Sequence, residues 1–171
     1  MGFSFETRSA DTDESFPDHL GGSDVAEFLA RTKAEAFAGR LKPNEILITA
    51  DTIVCQDDNI FNKPENRGEA LQMLRALNAK EHTVISGVCL CLGKNYRVFH
   101  DSTQVHFDAL ETTEMEYYID RFKPYDKAGA YGIQEWMGLV GIRCIEGSFY
   151  NVMGFPTHMF YKELKQFIAQ L

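Results

Sequence analysis

The stretch that decides the fold is ILITADTIVCQDDNIFNKP, residues 46–64. Its first half is an apolar run typical of a buried strand, which we predict over Ile46–Cys55. Asp51 lies in the middle of this run, with Thr52 beside it, and a polar turn then leads to Lys63. Because an unpaired buried carboxylate is very costly, Asp51 must have a charged partner, bind a metal or lie at the exposed end of the strand. The stretch itself leaves these alternatives open.

Helix and strand patterns surround this central strand. Helices are predicted from Asp24 to Gly39, over 65–78, over 112–122 and at the end of the chain, and further strands over 83–92, 96–107 and 139–145. The apolar stripe of the first helix contains Val25, Phe28, Leu29 and Ala36. Lys33 interrupts that stripe, where a lysine ordinarily extends its ammonium group to water. The order of elements predicts an α/β or α+β domain with a mixed sheet.

Composition excludes several classes of function. The 171 residues carry 17 basic and 25 acidic side chains, a formal charge of −8, so we expect neither nucleic-acid nor membrane binding. No apolar run approaches the length of a membrane span, and the N-terminal segment does not resemble a signal peptide. The four cysteines form no C-x-x-C pair, and Cys89 and Cys91 lie on one face of a predicted strand. We interpret them as free thiols of a cytoplasmic protein.

Two glycine-containing loops are candidates for ligand binding. They are DKAGAYGIQ, residues 126–134, and EGSFYNVMGFP, residues 146–156. Glycines let the backbone approach a ligand closely, although a tight connection between elements would use the same residues. Lys63 precedes a proline, which favours an extended backbone, and Glu14 carries no signal in isolation. The sequence contains no P-loop, G-x-S-x-G or H-E-x-x-H motif and no zinc-ligand spacing.

Taken together and in order, seven segments resemble the Maf family of nucleotide pyrophosphatases. They are TDESFP (12–17), ARTKAEA (30–36), ADTIV (50–54), FNKPENRGEALQMLRAL (61–77), HTVISGV (82–88), KPYDKAGAYGIQ (123–134) and IEGSFYNVMGFP (145–156). The resemblance covers nearly the whole chain. It implies a single Maf-like domain over 1–171, with a mixed sheet and two lobes around a cleft, similar to inosine triphosphate pyrophosphatases and often homodimeric.

The resemblance also implies a reaction and the residues that carry it. A nucleoside triphosphate would be cleaved between its α and β phosphates, giving monophosphate and pyrophosphate with a divalent cation, Mg²⁺ or Mn²⁺. Asp51 would be the proton acceptor, and Glu14 and Asp51 would hold the metal. The substrate-binding residues would be Lys33 and Lys63 at the triphosphate, with Thr52 and Gln134 resembling the branch of the family that prefers dTTP and UTP.

Two departures from the family pattern bear on function. The S-x-S-P-R-R loop that supplies phosphate ligands is absent from the 171 residues, so the chain is N-terminally truncated relative to the family and we expect an exposed sheet edge. This absence leaves an alternative open, a non-catalytic nucleotide-binding or regulatory protein of the septum-formation-inhibitor type. In addition, Glu135 and Trp136 follow Gln134 where the family usually has small residues. Trp136 either narrows the base pocket or packs outside it.

Overall fold

The computed structural model describes residues 2–8, 12–57 and 59–170, which form five strands and six α-helices. The strands are β1 Leu47–Gln56, β2 Asn59–Phe61, β3 Glu81–Leu92, β4 Asn95–Phe107 and β5 Ile142–Glu146. The helices are α1 Ser23–Phe37, α2 Arg67–Leu77, α3 Thr112–Phe122, α4 Trp136–Val140, α5 Phe149–Val152 and α6 Thr157–Ala169. Short 3₁₀ turns occupy Ala38–Arg40 and Ala128–Ala130. None of the helices among these residues is long and apolar enough to cross a membrane.

The strands form one sheet in the order β2-β1-β3-β4-β5. The predicted α/β class is confirmed, but the strand directions differ from the expected mixed sheet, because all four described pairings are antiparallel. β3 and β4 are joined by a hairpin turn at Gly93–Lys94, and β2 follows β1 almost as directly. Connections this short can join only antiparallel neighbours.

The outer edge of β1 is open over most of its length. β2 pairs with β1 only from Val54 to Gln56. Within the described part of the chain, the segment Leu47–Ile53 therefore has a strand neighbour on one side only, which is β3. Asp51 lies in this segment of β1.

Helices cover the two faces of the sheet unequally. On one face α1 packs against side chains such as Ile53 and Ile85, together with Phe16 and Leu20 from the segment before it. On the other face α2 and α3 pack on Val54 and Val84, and α6 packs on Val88. Since neighbouring residues of a strand point to opposite faces, β1 directs Asp51 toward α1 and Thr52 toward the larger group of helices.

A glycine sets the distance between α1 and the sheet. Gly87 of β3 lies opposite Asp51 in the β1–β3 register. A Cβ atom at position 87 would lie 2.2 Å from the carbonyl oxygen of Ala26 in α1. Further along the helix, the Thr49 hydroxyl donates a hydrogen bond of 2.6 Å to the carbonyl of Ala30. The backbone of α1 therefore lies almost directly on the strands.

Two parts of the chain differ from the sequence prediction. The strand expected over 139–145 begins only at Ile142, because α4 occupies the residues before it. The loop predicted over 146–156 contains the short helix α5, whose first turn is capped by the Ser148 hydroxyl accepting from the Asn151 amide at 3.3 Å. Both segments are too short for hydrophobic periodicity to distinguish helix from strand.

A buried histidine makes the stability of this fold depend on pH. His82 is 2% exposed, and its Nε2 atom lies 2.7 Å from the Tyr131 hydroxyl. Burial, with a smaller contribution from the charge of His106, lowers the pKa of His82 from 6.5 to about 4. The folded protein therefore holds His82 neutral at a pH where the unfolded chain binds a proton.

We expect the free energy of unfolding to decrease as the pH falls from about 6.5 toward about 4, by up to about 1.4 kcal/mol per pH unit from this group. The stabilising contribution is complete above the unfolded pKa and is lost as the pH falls. Urea unfolding at pH 7 and pH 5 measures it. The variant His82→Gln should show a shallower dependence on pH. Equal slopes in the two proteins would contradict this assignment.

Candidate active site

Asp51 lies inside strand β1 and has a charged partner on α1. β1 continues beyond it to Gln56, so Asp51 is not at a strand end. Its side chain is 10% exposed, and its Oδ1 atom lies 3.1 Å from the Nζ atom of Lys33 on α1. Lys33 is 20% exposed and directs its ammonium group to this carboxylate rather than extending it to water. The lysine that interrupts the apolar stripe of α1 is thus the counter-ion of the buried aspartate.

Glu14 and Lys63 extend this ion pair. The Oε1 atom of Glu14 lies 3.0 Å from Lys33 Nζ and 2.8 Å from Lys63 Nζ. Lys63 also donates to the second oxygen of Glu14 at 3.0 Å. The result is a row of alternating charges, Asp51, Lys33, Glu14 and Lys63, which we call the charge row. Its members come from four separate parts of the sequence, and the tertiary structure brings all of them together.

The pKa values of the two carboxylates in the charge row are shifted in opposite directions. Burial raises the pKa of Asp51 above its usual value, and the neighbouring Lys33 only partly offsets this. Burial also acts on Glu14, but the hydrogen bonds and charges of Lys63 and Lys33 outweigh it and lower the pKa. For Lys33, burial is outweighed by Asp51 and Glu14, so its pKa is raised and the ammonium is retained. Asp51 therefore binds a proton more tightly than an ordinary aspartate, whereas Glu14 binds one less tightly than an ordinary glutamate.

Thr52 lies on the opposite face of β1 and joins three elements. Its hydroxyl lies 2.7 Å from the Ser86 hydroxyl on β3 and donates to the carbonyl of Gly154 at 3.2 Å. Ser86 in turn donates to the carbonyl of Asn151 at 3.0 Å. These bonds hold the segment that follows α5 against the centre of the sheet.

A cavity of about 230 Å³ lies beside the middle of β1. Its lining includes Asp51, Thr52, Lys63, Lys127, Gln134 and Gly154. Lys33 and Glu14 are outside the lining but contact Asp51 and Lys63, which are part of it. The cavity therefore has one end at the charge row and another, which we call the loop end, at the two glycine-containing loops.

Sequence reasoning missed part of this site. Lys127 lines the cavity, and its Nζ atom lies 2.8 Å from Asp126 Oδ1 and 3.2 Å from Glu135 Oε1. Its position in a glycine-containing loop was the available signal. Trp136 is absent from the lining and stacks on Tyr118 of α3 with ring centroids 6.3 Å apart. Of the two roles considered for Trp136, the structure agrees with packing outside the pocket.

The donor set of the site is compatible with a divalent cation that arrives together with phosphate. Among the residues that the structure describes, no group of three or more His, Cys, Asp and Glu side chains could hold a metal. The carboxylates of Glu14 and Asp51 nevertheless share one ammonium group, with oxygens 3.0 and 3.1 Å from Lys33 Nζ. Mg²⁺ is commonly bound by one or two carboxylates completed by substrate phosphates and water. The Glu14 and Asp51 carboxylates converge on the ammonium group of Lys33, and two carboxylates placed in this way fit the pattern of a Mg²⁺ site.

Comparison with known proteins identifies the family. A family profile described as Maf-like protein matches residues 1–167. The chain belongs to the Maf family. The resemblance noted from the seven sequence segments is thereby confirmed over almost the entire chain, and the fold described above is that of this Maf protein.

Curated Maf relatives align along most of their length. A dTTP/UTP pyrophosphatase of Bacteroides thetaiotaomicron is 47% identical over 156 residues, which are 91% of this chain and 81% of the relative. One of Christiangramia forsetii is 48% identical over 157 residues, 91% and 80% of the two chains. One of Parabacteroides distasonis is 48% identical over 164 residues, 95% and 85% of the two chains. Each of these relatives is named for hydrolysis of two pyrimidine nucleotides.

Proposed function

We propose that this chain is a nucleoside triphosphate pyrophosphatase that hydrolyses dTTP and UTP to the monophosphate and pyrophosphate. The observation that carries the proposal is the charge row at one end of the cavity, where the largely buried Asp51 is paired with Lys33, and Glu14 is paired with both Lys33 and Lys63. Cleavage of a phosphoanhydride requires an activated water beside a phosphorus surrounded by negative oxygens. Such a site needs a proton acceptor and cations together, and the charge row contains both.

The size of the cavity supports a pyrimidine substrate. The volume of the whole cavity, about 230 Å³, is below the range of roughly 300–1,000 Å³ typical of small-molecule sites, and a one-ring base needs less of that space than a purine. Thr52 and Gln134 are part of its lining. The names of the relatives favour the same substrates.

Asp51 is the proton acceptor in this proposal. Burial raises its pKa, so the carboxylate is a stronger base than an exposed aspartate. Lys33 and Lys63 bind oxygens of the triphosphate after leaving Glu14. Lys63, whose side chain is 44% exposed, has room to make this change. Phosphate oxygens replace carboxylate oxygens as their partners, so the ammonium groups remain neutralised.

Glu14 and Asp51 would hold a divalent cation, Mg²⁺ or Mn²⁺. When bound, such a cation offsets phosphate charge and lowers the pKa of a coordinated water. The carboxylates become available to it when Lys33 turns toward the phosphates. The exchange of partners within the charge row links the two binding events, because each lysine that leaves a carboxylate makes a metal ligand available.

A product assay tests the function. The purified chain is incubated with Mg²⁺ or Mn²⁺ and separately with dTTP, UTP, CTP, GTP and 7-methyl-GTP, and the products are separated by chromatography. We expect monophosphate and pyrophosphate from dTTP and UTP. Equal turnover of all five nucleotides would contradict the specificity. Binding of dTTP without any product would instead favour the non-catalytic nucleotide-binding alternative.

The proposal extends to the setting of the reaction, a single-domain homodimer in the cytoplasm. The four cysteines are free, and Cys89 and Cys91 are buried against α1. Burial raises the pKa of Cys89 to about 12, which leaves its thiol protonated and unreactive. Free thiols are typical of a reducing compartment. The homodimer rests on the family resemblance, and light scattering on the purified chain measures it.

Replacing Lys33 with methionine should strengthen metal binding in the absence of nucleotide. The change removes the ammonium group that contacts both Glu14 and Asp51. Both carboxylates then lose their ion pair with residue 33. We expect the dissociation constant for Mn²⁺ to fall by roughly tenfold, since an adjacent competing positive charge is lost. Mn²⁺ titration followed by electron paramagnetic resonance measures it.

The matched control for this titration is Lys42→Met. Lys42 is 81% exposed and contacts Glu45 at 3.6 Å, away from the charge row. Its removal should leave the Mn²⁺ affinity unchanged. Weaker Mn²⁺ binding by Lys33→Met would show that Glu14 and Asp51 are not the metal ligands.

A further inference from the structure

The glycine-containing loop over residues 126–134 is held in place by a hydrogen-bonded network. None of the roles proposed above for catalysis or binding is assigned to this network. Glu135 accepts a hydrogen bond from the Tyr118 hydroxyl through Oε2, and its Oε1 atom lies 3.2 Å from Lys127 Nζ. The same Tyr118 hydroxyl accepts a hydrogen bond of 3.0 Å from the backbone amide of Gly132. The links join Lys127, Gly132 and Glu135 of the loop to α3. We call these residues, with Tyr118, the loop clamp.

The side chains of the loop clamp are largely buried, and Tyr118 and Lys127 keep their protons there. Tyr118 is fully buried, and the side chains of Lys127 and Glu135 are each 20% exposed. Burial first, and then the hydrogen bond to Glu135, raises the pKa of Tyr118, so the hydroxyl remains a donor. Burial lowers the pKa of Lys127, but its bonds to Asp126 and Glu135 outweigh this, so it remains a cation. Tyr118 and Lys127 therefore both keep the protons that they direct at Glu135.

The side chains of the clamp also pack on the backbone that they hold. A Cβ atom at Gly132 would lie 3.0 Å from Lys127 Cε and 3.2 Å from Glu135 Cδ. Lys127, Gly132 and Gln134 all line the cavity. The clamp therefore determines where this wall of the cavity lies, and Gln134 stands between two of its anchored positions.

We propose that Glu135 is a positioning residue for nucleobase selectivity: through Tyr118 and Lys127 it fixes the wall at Gly132 and Gln134 so that the cavity accepts a one-ring base. This inference rests on the proposed function. Glu135 itself is not in the lining, so its effect reaches the substrate only through the residues it holds.

The test compares variants on UTP and GTP. In Glu135→Ala we expect the ratio of kcat/KM for UTP over GTP to fall by roughly tenfold, mainly through a higher KM for UTP, with kcat nearly unchanged. Glu135→Gln keeps an oxygen that accepts from Tyr118 and should retain most of the ratio. Tyr118→Phe leaves the Gly132 amide without its acceptor and should lower the ratio as Glu135→Ala does. The double variant Glu135→Ala/Tyr118→Phe should lose no more than either change alone, because both disrupt one network.

Glu116→Ala is the matched control, since Glu116 is a glutamate of α3 whose side chain is 39% exposed and points to Arg67 at 3.8 Å. It should leave the ratio unchanged. Hydrogen exchange of the Gly132 amide supplies a readout that does not depend on turnover and should accelerate in Glu135→Ala. Folded Glu135→Ala protein with the original ratio and exchange rate would overturn the proposal, as would a lower melting temperature with an unchanged ratio.

The closing experiment also separates this inference from the proposed function. If the unmodified chain hydrolyses no triphosphate, the pyrophosphatase assignment fails. The ratio of dissociation constants for UMP and GMP, measured by calorimetry, then replaces the kinetic ratio. A fall of roughly tenfold in Glu135→Ala supports the positioning role, and an unchanged ratio overturns it.

Discussion

Asp51→Asn is expected to abolish measurable turnover of dTTP and UTP, with a loss of roughly 10²- to 10⁴-fold in kcat. Asparagine has nearly the same shape but cannot accept a proton from water. It retains an oxygen within reach of Lys33, so the local packing is preserved. Binding of UMP, measured by calorimetry, should change by less than about threefold, since the base and ribose do not depend on the proton acceptor.

Asp126→Asn is the control for this substitution. Asp126 also lines the cavity and also pairs with a lysine, Lys127 at 2.8 Å, but its side chain is 77% exposed. The change should cost less than about tenfold in kcat, because an exposed ion pair contributes little. Full turnover by Asp51→Asn, or an equal loss in both variants, would remove Asp51 from the role of proton acceptor.

Gly87→Ala is expected to destabilise the fold by about 3 kcal/mol and to lower activity in the protein that remains folded. The added methyl group would lie 2.2 Å from the Ala26 carbonyl oxygen and 2.3 Å from its carbon, so α1 must move away from β3. That displacement acts on the 3.1 Å contact between Lys33 and Asp51, because Gly87 is the register partner of Asp51. Urea unfolding and a hydrolysis assay on the same preparation measure both effects.

Gly21→Ala provides the comparison for the glycine change. A Cβ atom at Gly21 meets nothing within 4 Å, and its backbone does not occupy the left-handed region. The free energy of unfolding should change by less than about 0.5 kcal/mol. If Gly87→Ala were equally mild, the close approach of α1 would not be needed for the fold or for the charge row.

Local pattern was sufficient for the elements with strong periodicity. The strand predicted over Ile46–Cys55 forms as Leu47–Gln56, and the helix predicted over 112–122 forms as Thr112–Phe122. The seven segments, taken together and in order, were sufficient to recognise the family, which the profile match confirms. In these segments the backbone preference and the hydrophobic pattern favour the same structure, so no distant contact was needed to predict them.

Local pattern was only partly right about the buried face of α1. Val25 and Leu29 of the predicted apolar stripe are buried, but Phe28 is 36% exposed and Ala36 is also exposed. The helix also turns small residues to the sheet, namely Ala26, Ala30 and Ala34, each fully buried. Hydrophobicity ranks phenylalanine above alanine, but a helix backbone that approaches to within contact of Gly87 has room only for the smaller side chain.

The chemistry of the site depended on contacts between distant segments. From its strand alone, Asp51 could have been a turn residue, a metal ligand or half of an ion pair. Its pairing with Lys33 required α1 to pack on β3, and the inclusion of Glu14 and Lys63 required two loops to meet at the open edge of β1. Charge pairing acts over a few ångströms of space rather than along the chain. Residue types and their order therefore predicted which groups could act, and packing at Gly87 and along β1 determined which of them touch.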